Sequence, residues 1–122
     1  MNESTIFIIY GNLPRKSNSR RIVKNRRTKK VMIIKSENAL NYSQNFLLQM
    51  MQYQYKTLTS PIILTVTIFY QSKRNDLSEE LLMDLLQECK LIKNDRQIWG
   101  KHIYKKIDKE KPRVEFKVKI KI

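Results

Sequence analysis

Five of the chain's 11 acidic side chains, Asp76, Glu79, Glu80, Asp84 and Glu88, fall within 13 residues of the stretch "KRNDLSEELLMDLLQE", and Asp95 follows shortly after. On a helix, residues four apart stack on one face, so Asp76, Glu80, Asp84 and Glu88 form one row. Leu77, Leu81, Leu82, Leu85 and Leu86 form the opposite, apolar face, and no Lys or Arg interleaves with the acids. Like charges four apart destabilise a helix, so the row needs compensation. A divalent cation is one candidate to supply it: Mg2+ takes hard oxygen ligands and binds through one or two carboxylates plus substrate phosphates. It polarises a phosphodiester and lowers the pKa of a bound water, which is the chemistry of metal-dependent phosphodiester cleavage. The competing readings are a solvated acidic face or pairing with the protein's own lysines. Asp76 is also placed to act as an N-cap, with Glu79 three residues on.

The rest of the chain has the opposite sign. It carries 25 Lys and Arg and a net charge of +14 over 122 residues, which points to a polyanionic partner. From Thr5 to Lys35 there is no acid. Arg15, Lys16, Arg20, Arg21, Lys24, Arg26 and Arg27 cluster there, interleaved at the start with Ser17 and Asn18, short side chains that also bond phosphate oxygens. No zinc-finger, homeodomain or heptad signature accompanies them, so contacts to nucleic-acid phosphates or to shape are expected, without base readout. The competing readings are a targeting signal and a merely basic surface.

The elements that must position these groups are legible in outline. "TIFIIYGN" reads as a strand closed by a turn at Gly11, and two short strands follow around a basic connection at Asn25 to Thr28. Ser36 is placed to cap a helix whose face is Ala39, Tyr42, Phe46, Met50 and Tyr53, a stripe read as core. "PIILTVTIFYQ" reads as a central strand, the Leu-rich segment as a second helix, and "DRQIWGKHIYKKI" as a strand. "IDKEKP" is a turn. "RVEFKVKIKI" alternates, with Val114, Phe116, Val118, Ile120 and Ile122 on one side and Glu115, Lys117, Lys119 and Lys121 on a solvated, basic side. The order predicts an α+β fold, a mixed sheet packed with two main helices, in one domain spanning residues 1–122.

Several chemistries are excluded or weakened. Two glycines leave no phosphate-cradling Gly-rich loop, and one His with one Cys makes neither a zinc site nor a Cys–His pair. Trp99 and the tyrosines are capable of stacking on bases, but core packing is the expectation for them. A single cysteine fits a reducing compartment, no run approaches a membrane span, and the N-terminus carries no signal-peptide pattern.

Four segments in this order carry a family resemblance: "GNLPRKSNSRRIV", "VMIIKS" with "NY", "RNDLSEELLMDLLQECKLIKNDRQI" and "KKIDKEKPRVEFKVKI". Together they resemble the RusA-type Holliday junction resolvases, small endodeoxyribonucleases common in phages and prophages; the last segment looks like that family's C-terminal hairpin. The resemblance implies a mixed α/β fold, a homodimer, Mg2+ dependence and paired nicks at four-way DNA junctions. It also implies a place in the cytoplasm of a bacterial or phage-infected cell. The family's site uses an Asp-x-Asp pair just before a helix, a Lys early in it, and an Asp in the loop after it. An ungapped match puts Asp95 on the loop Asp and Asp76 on the second Asp of the pair, with Arg74 at the first Asp and Glu80 at the Lys. A gapped match makes Asp76 the first of the pair and Ser78 the second. Asp84 and Glu80 are the candidates to replace the missing carboxylate, and Lys101 to replace the lysine. Two outcomes follow: a Mg2+-dependent nuclease with a variant site, or a relative that binds branched DNA without cutting it.

Overall fold

The computed structural model describes residues 6–14, 20–24, 27–29, 31–73 and 79–121. The elements are β1 (Phe7–Tyr10), β2 (Arg20–Lys24), β3 (Val31–Lys35), α1 (Glu37–Met50), β4 (Ile62–Tyr70), α2 (Glu80–Glu88), β5 (Ile98–Ile107) and β6 (Arg113–Ile120). This is the expected order, and the fold is α+β. β2 and β3 pair as a separate antiparallel hairpin, while β1, β6, β4 and β5 lie side by side in one mixed sheet.

β4 is central, antiparallel to β6 and parallel to β5. Its nine residues alternate strictly, with Ile62, Leu64, Val66, Ile68 and Tyr70 fully covered beneath the helices. β6 adds Val114, Phe116 and Val118 to the same face, and Lys117, Lys119 and Lys121 are exposed on the other. Ile120 shares the apolar side but lies at the sheet's end and is partly exposed. The resemblance to a C-terminal hairpin is corrected here: β4 sits between β5 and β6, so the two strands are joined by a turn but do not pair. The turn itself is well built. Asp108 Oδ1 accepts from the backbone N–H groups of Glu110 and Lys111 at 3.1 and 3.0 Å, and Arg113 donates to Asp108 Oδ2 at 2.7 Å and Glu115 Oε2 at 2.6 Å. The Lys111 N–H and then the Arg113 guanidinium hold the Asp108 carboxyl below its usual pKa.

α1 begins where the sequence indicates, with Ser36 Oγ accepting from the Ala39 N–H at 3.2 Å. Its Ala39, Tyr42, Phe46 and Met50 face is buried. Phe116 stacks between Phe7 and Phe46, at centroid distances of 5.1 and 6.1 Å. The last turn of α1 and the segment just after it cover the free edge of β1. The Tyr53 hydroxyl accepts from the Ile8 N–H and donates to its carbonyl, and the Gln49 amide does the same for Tyr10, at 2.7–3.2 Å. That edge is therefore closed to further strand pairing. Gly11, at φ 126°, follows β1 in a conformation that side-chain-bearing residues rarely adopt, and its N–H donates to the Pro112 carbonyl at 2.9 Å.

α2 buries Leu81, Leu82, Leu85 and Leu86, as its spacing requires. Its N-cap is Glu79, which makes no side-chain cap bond. Leu77 and Asp76 lie outside the described residues.

Two core substitutions should separate packing from polarity. Phe116→Ala removes the middle ring of the stack and should cost about 3–5 kcal/mol in urea unfolding. The Tyr42 hydroxyl is buried without a hydrogen-bond partner among the described residues. Tyr42→Phe should therefore leave the unfolding midpoint unchanged or raise it.

Candidate active site

α2 presents its polar side toward β5. Glu80 and Asp84, one turn apart, are both exposed there. Glu79, freed from a capping bond, points across to β5 and accepts from Lys101 Nζ at 2.9 Å. Glu88 is exposed at the far end of the helix.

Asp95 opens a short 3-10 helix, Asp95–Gln97, that leads into β5. The sequence "NDRQ" builds this turn from its own side chains. Asn94 Oδ1 accepts from the Arg96 N–H at 2.9 Å, and Gln97 Oε1 accepts from the Lys93 and Asn94 N–H groups at 2.8 Å each. Gln97 also donates to the carbonyls of Leu58 and Ser60 at 2.7 and 3.1 Å, pinning the turn to the segment that enters β4. The Asp95 N–H donates to Gln87 Oε1 of α2 at 3.3 Å. Backbone and neighbours are thus fixed, and the Asp95 side chain is left exposed.

β5 reaches the site through an irregularity. Ile62 pairs with Ile98, but Ile63 pairs with Gly100, so Trp99 is one extra residue in the ladder. An unbroken register would set Lys101 opposite Thr65, on the open face of the sheet. The bulge sets it opposite Leu64 instead, on the face covered by the helices. Lys101 then meets Glu79. A cavity of about 260 Å³ results, lined by Glu79, Glu80, Met83, Asp84, Asp95 and Lys101. A second cavity of about 340 Å³ adjoins it, sharing Met83, Asp95 and Lys101 and adding Ile98, Trp99 and Gly100.

The structure thus brings Glu80, Asp84, Asp95 and Lys101 together, and adds Glu79, which the sequence suggested only as a partner to a cap. Glu88 does not line the cavity. Asp76 lies outside the described residues. Neither Asp84 nor Asp95 has an ion-pair partner among the described residues. Their hard oxygens suit Mg2+, which needs one or two carboxylates beside substrate phosphates. Among the described residues, no three acidic, histidine or cysteine side chains converge tightly enough to hold a metal ion by themselves.

Of the basic segment, Arg15, Lys16, Ser17, Asn18 and Arg26 lie outside the described residues. Arg20, Arg21 and Lys24 belong to β2, and Arg27 is exposed in the connection after it. Trp99 corrects the expectation of core packing: it is 63% exposed, with Lys121 Nζ 4.9 Å from its ring centroid. His102 is exposed on β5. Cys89 ends α2, and burial pushes its thiol pKa up, which keeps it in the unreactive protonated form.

The family described as Endodeoxyribonuclease RusA matches residues 13–119. No curated protein matches the chain.

The Lys101–Glu79 pair is largely solvated, with side-chain exposures of 45% and 26%. Pairs of this kind contribute below about 1 kcal/mol. Lys101→Ala should therefore shift the urea-unfolding free energy by less than about 1 kcal/mol. A larger loss would make the lysine a structural residue.

Proposed function

Because the chain belongs to the RusA family of endodeoxyribonucleases, we propose that it resolves four-way DNA junctions by Mg2+-dependent hydrolysis of paired phosphodiesters. One observation carries this reading: Glu80, Asp84, Asp95 and Lys101 line a single cavity in a chain of net charge +14. Asp84 and Asp95, with Asp76, are the residues that would hold Mg2+. When bound, the ion polarises the scissile phosphodiester and supplies an activated water. The protein's own groups do the rest. Arg15, Lys16, Ser17, Asn18, Arg20, Arg21, Lys24, Arg26 and Arg27 hold the DNA backbone through its phosphates. Lys101, oriented by Glu79, offsets the negative charge that develops on the phosphate during displacement. Glu80, one turn before Asp84 in the same row, is a further carboxylate to orient the attacking water.

A second reading is favoured by Arg74, which stands where the family's first Asp belongs in the ungapped match. In that case the protein binds branched DNA and leaves it intact. One assay separates the two. A synthetic four-way junction with protein and Mg2+ should yield paired nicks, and Asp95→Asn should abolish the nicks while preserving the mobility shift. A wild-type complex that stays uncut under every divalent metal decides for the binding protein.

The two-fold symmetry of a four-way junction suits a homodimer that presents one site to each of two opposed strands. α1 offers an apolar contact outside the core: Leu40, Leu48 and Met51 are 44%, 64% and 79% exposed. Repulsion between two such basic chains opposes association and is screened by salt. Sedimentation should therefore show a dimer that tightens as ionic strength rises, and Leu48→Glu should weaken it. A monomer at micromolar concentration in moderate salt, still monomeric on a junction, removes the dimer.

A further inference from the structure

Trp99 is the chain's single tryptophan, and it is placed where no core needs it. As the extra residue of the β5 bulge it takes no place in the ladder with β4. An ordinary register would have made the same residue a partner of Ile63. Either register keeps the ring off the helix-covered face, and it stands in solvent at the rim of the candidate active site. Bulges recur beside functional sites because they re-aim one side chain without dismantling the sheet.

The surroundings state what the ring is suited to meet. Trp99 lines the 340 Å³ cavity that shares Asp95 and Lys101 with the acidic cavity. Lys121 Nζ covers one side of the indole at 4.9 Å, and Lys119 and Lys117 continue along the same exposed side of β6. An aromatic face flanked by ammonium groups is the combination that takes a nucleobase and its phosphates together. A second protein chain of the same positive charge is a poorer fit to that surface.

Continuous duplex gives such a ring nothing to stack on, because each base is already stacked on both neighbours. A base at a branch point is the least costly to expose. We propose that Trp99 stacks on a base exposed at the branch of a DNA junction, beside the phosphate presented to Asp84 and Asp95, and so favours branched DNA over continuous duplex. This rests on the junction reading above, and it assigns Trp99 a role in selectivity without any part in bond cleavage.

The test is run in EDTA, so that cleavage plays no part, and binding is followed independently by mobility shift. Because the protein has one tryptophan, its emission reports this side chain alone. A four-way junction should quench that emission, and a linear duplex of the same sequence should quench it far less. Trp99→Ala should weaken junction binding about tenfold, within the range of one lost base stack, and change duplex binding less than about twofold. Trp99→Phe should recover most of the loss. Equal losses on junction and duplex, or a junction complex seen by mobility shift with unchanged emission, overturn the proposal and leave the nuclease reading standing. Loss of self-association in Trp99→Ala would assign the ring to a protein interface and overturn it as well. If the wild-type protein gives no junction shift at all, the junction reading fails and this inference falls with it.

Discussion

Parallel pairing between β4 and β5 constrains everything around the candidate site. Two parallel strands cannot be joined by a tight turn, so the chain must leave the end of β4, travel back, and re-enter at the start of β5. α2 is that return path, and its four buried leucines hold it over the sheet. The polar side of the helix is then left facing the edge strand. A single extra residue at Trp99 finishes the arrangement, because side-chain direction in a strand has a period of two. With it, Lys101 turns toward the helix and meets Glu79; without it, the lysine would lie on the opposite face.

The sequence carried the local part of this design and not the non-local part. Ser36, the α1 stripe, the Leu face of α2 and the alternation of β6 are each readable because one element's own periodicity contains the information. The partner of β5 is not. Both β5 and β6 read as strands joined by a tight turn, "DKEKP", and that pattern describes a hairpin equally well. Insertion of β4 between them depends on its stronger apolar alternation, which wins the central position by burying five residues on one face. The bulge was hidden for a related reason. Trp99-Gly100 is unremarkable in sequence, yet a Cβ at Gly100 would stand 3.0 Å from the Ile63 side chain, so the small residue marks where the strands approach most closely.

The candidate site was legible as a list of residues and not as a constellation. The row Glu80, Asp84 and Glu88 follows from helical spacing, but of these three only Glu80 and Asp84 line the cavity. Glu79 looked like a helix-start residue and instead reaches across to another strand. Core packing is the expectation for a tryptophan, and Trp99 is exposed instead because its strand position puts it off the helix-covered face, which composition does not encode. The basic segment's first residues and Asp76 lie outside the described residues, and their part in the site is a proposal from charge, spacing and family resemblance.

The energetics of α2 separate what holds it from what it is for. Glu80, Asp84 and Glu88 repel along one face, at a few tenths of a kcal/mol per pair, and Glu88 also sits near the negative end of the helix dipole with no basic residue in the last turn. The Lys101–Glu79 ion pair to β5 is solvent-exposed and contributes little. Burial of Leu81, Leu82, Leu85 and Leu86, at roughly 1.5–3 kcal/mol each, outweighs all of these effects. The helix therefore forms because of its leucines. Asp84 shares its cavity with Asp95 and Lys101. We propose that Asp84, beside a second carboxylate and a lysine in a strongly basic member of the RusA family, serves the phosphodiester chemistry of the site rather than the fold.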